Sequence, residues 1–199
     1  MTKTLKANPM AKGLIFDLDG TLIDSMPLHW EAWRVVCRQH GIDLDRDFFF
    51  SQAGKASERI SKIIVDHYRS DADPILIRSQ KEQYVLERLT EVEPIEAVVR
   101  VVRDNDGRLP MSVGTGSNRE RALLMLDNAG LTGYFKAIVC SDDVVNHKPS
   151  PDTFVRCAEL MGVAPADCEV FEDGVPGFEA ARAAGMMLTD VRPYCGATR

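Results

Sequence analysis

No run of apolar residues in this 199-residue chain approaches the ~20 needed to cross a bilayer, and the opening stretch MTKTLKANPM lacks the continuous apolar segment of a secretory signal. No membrane association is expected. Paired cysteines are also missing: the five present, Cys37, Cys140, Cys157, Cys168 and Cys195, are odd in number and widely spaced, with no C-x-x-C and no His at zinc-finger spacing. Reduced thiols in a cytoplasmic protein are the expectation. Positive charge is in short supply, with 24 Lys and Arg against 30 Asp and Glu for a net −6, the wrong sign for gripping a nucleic-acid backbone over a broad surface. Nucleic acid is therefore not an expected partner. Internal repeats and low-complexity segments are absent, which excludes solenoids and disordered tracts.

What is present fits an ordinary globular protein, 45% hydrophobic and 27% charged. The length exceeds the roughly 150 residues of a typical domain, so one domain with a sizeable insertion is expected. Lys12-Gly13-Leu14-Ile15-Phe16-Asp17 is a short apolar run ending at carboxylates, as in a buried parallel strand. Further strands are expected at Met111–Gly114, Ala137–Cys140, Glu169–Phe171 and Met187–Val191. Helical spacing marks Glu96–Arg103, Asn118–Ala129, Pro151–Met161 and Val175–Ala184, with Gly130 and Gly185 as stop signals. Strands alternating with helices predict an α/β fold with a parallel sheet flanked by helices. Residues 26–93 break the rhythm with helical patterns alone: a helix after Pro27 carrying Trp30 and Trp33, a stripe of Ile60, Ile63, Ile64 and His67, and another of Leu76, Tyr84, Val85 and Leu89. The expected organisation is a tail over 1–10, a core over 11–25 and 94–199, and a helical insertion over 26–93 directly after the first strand.

Open parallel sheets bind ligands at the carboxyl ends of their strands, where four polar groups stand in order. They are Asp17-Leu18-Asp19-Gly20-Thr21, then Gly114-Thr115-Gly116-Ser117, then His147-Lys148-Pro149-Ser150-Pro151-Asp152, and lastly Glu172-Asp173-Gly174. Each alone is a common turn or helix cap; their order on successive strand ends is the signal. Asp17, Asp19, Glu172 and Asp173 brought together repel, each pair at 4 Å by about 4 kcal/mol at an effective dielectric near 20. A hard cation such as Mg²⁺ removes that repulsion while bridging carboxylates to a phosphate. The Thr115 hydroxyl, the Gly116 backbone and the Lys148 ammonium are matching donors for phosphoryl oxygens. Asp17 is then placed to attack phosphorus as a carboxylate nucleophile, and Asp19 to serve as general acid and then general base.

These residues resemble the four motifs of the haloacid dehalogenase superfamily over about Gly13 to Val191. The stretches MSVGTGS, HKPSPDTF and VFEDGVPGFEAARAAGM are most similar to its β-phosphoglucomutase-like phosphatases, fructose-1-phosphate phosphatases among them. The resemblance implies a Rossmann-like core with a small helical cap. It implies Mg²⁺ held by Asp17, the backbone carbonyl of Asp19, and Asp173, with Glu172 as a further or more remote ligand. It also implies phosphate-ester chemistry, because related dehalogenases lack an acid at the position of Asp19. The mutases of the group carry an arginine in the cap three residues after a glycine; here the stretch from Gly54 places Ser57 at that point, which weakens the grip on a second phosphate and favours hydrolysis. Lys55 and Arg59 are the alternative cations there. His29, Trp33, Gly54, Lys55 and Lys81 match sugar-facing cap positions, with helix packing as the competing role for Trp33 and a solvated charge for Lys81. Asp24 and Ser25 stand where a hinge is expected. The expectation is a monomeric phosphatase of a small phosphorylated sugar or polyol, with a phosphosugar mutase and a non-catalytic phosphate-binding module as alternatives.

Overall fold

The structure is a computed structural model that describes residues 4–52, 55 and 57–195. Along the chain, β1 (Gly13–Phe16) is followed by α1 (Met26–Gln39), α2 (Arg46–Ser51), α3 (Ser57–Tyr68), α4 (Pro74–Leu86) and α5 (Glu96–Asn105). Then come β2 (Met111–Gly114), α6 (Arg119–Asn128), β3 (Ala137–Val139), α7 (Asp152–Met161), β4 (Cys168–Glu172), α8 (Val175–Ala183) and β5 (Met187–Asp190). The chain divides into two compact units, Met1–Asp24 with Val92–Arg199, and Ser25–Glu91.

The first unit is built on one sheet in the order β3-β2-β1-β4-β5, parallel throughout. GLIF, MSVG and CEVFE are buried at every position, because the three inner strands are covered on both faces. The edge strands are only partly covered. Right-handed crossovers place α5 and α6 on one face and α7 and α8 on the other; α7 lies against β1, β2 and β3, and α8 against β4 and β5. The winding direction therefore reverses between β1 and β4, and the crevice at their carboxyl ends is where such a sheet takes a ligand. Phe16 and Phe171 stack at 4.8 Å across these two strands. The chain leaves and re-enters this unit on paired backbone: Asp24 N–H donates to Glu93 O at 2.9 Å and Ile95 N–H to Leu22 O at 2.8 Å.

The second unit is a helical bundle with a core of Trp33, Val36, Cys37, Ile42, Leu44, Phe49, Ile60, Ile64 and Ile77. The short helix α2 has no counterpart in the sequence reading, since three consecutive phenylalanines, Phe48 to Phe50, show no helical period. Its start is fixed by Asp45, whose carboxylate accepts the Phe48 N–H at 2.7 Å. His67, expected on the stripe of α3, is exposed and stacks on Phe48 at 3.9 Å, while Ser61 takes the inward place. Leu89 falls in a separate 3₁₀ turn, Leu89–Glu91. The segment expected as a tail forms no helix or strand over 4–10, yet Leu5 is buried and Asn8 N–H donates to Glu169 Oε2 at 2.7 Å.

Leu14 is wholly buried on the central strand. Leu14→Ala is expected to lower the unfolding free energy by about 2–5 kcal/mol in urea titration, with the slope unchanged. A loss below about 1 kcal/mol would contradict the packing described.

Candidate active site

The ladder between β1 and β4 runs one step past β1: Asp17 N–H donates to Phe171 O at 3.0 Å, which carries the Asp17 side chain to the crevice. The chain then coils sharply, with Leu18 O accepting the N–H groups of Thr21, Leu22 and Ile23 at 3.0–3.2 Å. Gly20 makes this turn possible. Its φ is +87°, and a Cβ there would lie 2.4 Å from Asp173 Oδ2, so any side chain would push the acidic loops apart. Thr21 Oγ donates to Asp173 Oδ1 at 3.1 Å and ties the two loops together.

Between the acidic strand ends stands Lys148, just before α7. Its Nζ donates to Asp17 Oδ1 at 2.7 Å and to Glu172 Oε2 at 2.8 Å, and lies 4.5 Å from the centre of the Phe154 ring. Glu172, only 3% exposed, is engaged on both oxygens, because Oε1 accepts the N–H groups of Asp173 and Gly174 at 3.0 and 2.8 Å. Burial opposes a charge on Lys148, but Asp17 and Glu172 outweigh it and raise its pKa, so the ammonium persists. Asp17 moves the other way. Burial pushes its carboxyl well above the usual range, Glu172 and Asp173 push it further, and Lys148 only partly offsets them. An ionised Asp17 thus calls for more positive charge than the protein supplies. Oxygens of Asp17, Glu172 and Asp173 lie within 4.8 Å of one another, and an all-oxygen donor set of this kind fits a hard divalent cation.

The remaining core positions sit around this cluster. Thr115, 1% exposed, extends β2 by donating its N–H to Val139 O at 2.9 Å. Its Oγ accepts the Ser117 N–H at 3.0 Å, and Gly116 between them is exposed. Ser117 Oγ donates to Asp19 Oδ2 at 2.7 Å. The sequence reading assigned no role to Ser117, although it stands in the GTGS stretch. A partner 98 positions away leaves no local signal.

In the helical unit, Trp33 is fully buried in the core and Lys81 Nζ lies 5.5 Å from its ring centre, paired with Glu82 at 3.2 Å. Lys81 is 2% exposed, which rules out the solvated charge considered for it. His29 is half-buried on α1. Lys55 is exposed and its ammonium bonds the Gln52 side chain. Gly54 lies outside the described residues.

Gly177, in the first turns of α8, is a second residue that sequence reasoning passed over. A Cβ there would fall 1.8 Å from Glu172 Oε2, so the helix comes this close to the carboxylate only because the side chain is absent. A glycine two places inside a helix is a poor helix former, and that was the available clue. At a helix site with space, Gly→Ala stabilises by roughly 0.5–1 kcal/mol. Gly177→Ala is expected to reverse that sign and cost about 1–3 kcal/mol in thermal or urea unfolding. In a Glu172→Ala background the same change should no longer destabilise. Stabilisation by Gly177→Ala alone would contradict the steric coupling.

Comparison with known proteins agrees with this arrangement. Residues 14–191 match the model of the haloacid dehalogenase-like hydrolases. The chain is 45% identical over 181 residues to a fructose-1-phosphate phosphatase of Escherichia coli K12, covering 90% of this chain and 96% of that one. It is 27% identical over 197 residues to a β-phosphoglucomutase of Bacillus subtilis 168, covering 94% and 87%. Among solved structures, a conserved haloacid dehalogenase-like protein of Agrobacterium tumefaciens C58 superposes with a TM-score of 0.81 at 27% identity, covering 90% of this chain and 82% of that one. With its four strand-end motifs converging on the reversal point of a parallel sheet, the chain belongs to the haloacid dehalogenase-like hydrolases.

Proposed function

We propose that this protein is a Mg²⁺-dependent phosphatase of small phosphorylated sugars or polyols, with fructose 1-phosphate as the leading substrate, acting through an aspartyl phosphate on Asp17. The observation that carries the reading is the half-buried Lys148 bridging Asp17 and Glu172 at 2.7 and 2.8 Å beside Asp173. Its substrate class rests on the 45% identity to a fructose-1-phosphate phosphatase. The five free cysteines support a place in the reducing cytoplasm, where we take the protein to act as a monomer.

Asp17 and Asp173 would hold the cation with the backbone carbonyl of Asp19, and Glu172, already engaged on both oxygens, would stand behind them and seat Lys148. The bound cation supplies positive charge that lets Asp17 ionise and neutralises the phosphoryl group. Lys148 then shares its ammonium between Asp17 and a phosphoryl oxygen, and the Thr115 hydroxyl and Gly116 N–H bind the others. An Asp17 oxygen bonds to phosphorus as the ester P–O bond breaks, and Asp19 gives its proton to the departing sugar oxygen. Water next attacks the aspartyl phosphate, Asp19 takes its proton, and the P–O bond to Asp17 breaks to release phosphate. The helical unit is assigned the reading of the sugar, through His29, Gly54, Lys55 and Lys81, whereas Trp33, buried in that unit's core, packs its helices. Ser57 in place of a second-phosphate arginine argues for hydrolysis over mutase activity.

Purified protein with Mg²⁺ should release phosphate from fructose 1-phosphate, and Asp17→Asn should abolish it, on the order of 10³-fold or more. Retained turnover in that variant would remove the nucleophile assignment. Calorimetric titration should show Mg²⁺ binding that Asp173→Asn weakens; equal binding by the variant would place the metal elsewhere. A coupled assay for glucose 6-phosphate formed from β-glucose 1-phosphate with a bisphosphate primer should stay blank, and conversion there would establish the mutase instead.

A further inference from the structure

The proposed reaction asks Asp19 to give up a proton in one step and accept one in the next, from a loop position where its carboxyl plane must be held against rotation. Ser117 meets that requirement. Its Oγ is 2.7 Å from Asp19 Oδ2, and a serine hydroxyl facing a carboxylate oxygen donates. The serine is itself fixed at both backbone groups, its N–H donating to Thr115 Oγ at 3.0 Å and its carbonyl accepting the Ser141 N–H at 3.0 Å. The next residue, Asn118, caps α6 by accepting the Arg121 N–H at 3.0 Å, so the hydroxyl stands on an anchored turn.

Resting on the phosphatase reading above, we infer that Ser117 is the positioning residue for the general acid. By donating to Oδ2 it fixes the carboxyl plane of Asp19, the group that carries the transferable proton. In the first step the Asp17–phosphorus bond forms, the ester P–O bond breaks with its electron pair going to the sugar oxygen, and that oxygen takes the proton from the Asp19 carboxyl. In the second step water bonds to phosphorus and its proton goes to the Asp19 carboxylate. The P–O bond to Asp17 breaks and returns its pair to the carboxylate. Ser117 keeps its own proton throughout. Its effect is on geometry, so its loss should matter in proportion to how much the leaving group needs a proton.

That dependence separates this role from packing or phosphate binding. A sugar oxygen leaves as a strongly basic alkoxide unless protonated, whereas nitrophenolate departs unaided, and kcat/KM reports this first step. Ser117→Ala is expected to lower kcat/KM for fructose 1-phosphate relative to p-nitrophenyl phosphate by about tenfold, a part of the roughly 10²–10⁴ that general acid catalysis supplies in full. Ser117→Thr, which keeps the hydroxyl, should restore most of the ratio. In an Asp19→Ala background, Ser117→Ala should change the ratio less than about twofold. An equal fall on both substrates, or an unchanged ratio, would overturn the assignment while leaving the phosphatase standing. A wild-type protein that hydrolyses neither ester with Mg²⁺ would remove the phosphatase reading itself, and this inference with it.

Discussion

The bridge from Lys148 to Asp17 and Glu172 is the constraint around which the active end of this protein is arranged. Three carboxylates from two neighbouring strand ends and one ammonium from the loop before α7 share a small, largely enclosed space, and removing the ammonium leaves three negative charges with no counter-charge. The fold brings them there because the sheet reverses its winding between β1 and β4. The glycines at 20 and 177 then let the acidic loop and α8 approach the carboxylates more closely than any side chain would permit. The stacked rings of Phe16 and Phe171 lie directly beneath, so the residues that hold β1 to β4 also set the spacing of Asp17 and Glu172.

The charge balance ties this site to composition. The chain carries a net −6, an awkward sign for a protein that handles phosphate. The arrangement resolves it locally, with one half-buried ammonium, a helix N-terminus after Thr115 and an acidic set suited to a divalent cation. Excess acid elsewhere does not oppose binding, since exposed charges more than about 10 Å away are largely screened at physiological salt.

Much of this was legible in the sequence, for reasons that are physical. Each inner strand is a short apolar run because it is covered on both faces, and the observed strands fall within a residue or two of those expected. Asp17, Lys148, Glu172 and Asp173 stand at strand ends or just before a helix, so the order of motifs was enough to bring them together. The helix Arg46–Ser51 was not legible, because its three phenylalanines face different partners and carry no period. Ser117 and Gly177 were not assigned because their roles exist only through distant or cross-element contacts, to Asp19 and Glu172, that no local pattern encodes. Residues 4–10 lack any periodic signal, yet Leu5 and Asn8 are anchored by tertiary contacts.

The central claim is that Asp17 itself carries the phosphoryl group. Mass spectrometry of the enzyme quenched in acid during turnover of fructose 1-phosphate with Mg²⁺ tests it directly. The account predicts a phosphoryl adduct on the peptide bearing Asp17, lost on longer incubation without substrate. An enzyme that turns over with Asp17 unmodified at every time point, or with the adduct on another residue, would contradict it.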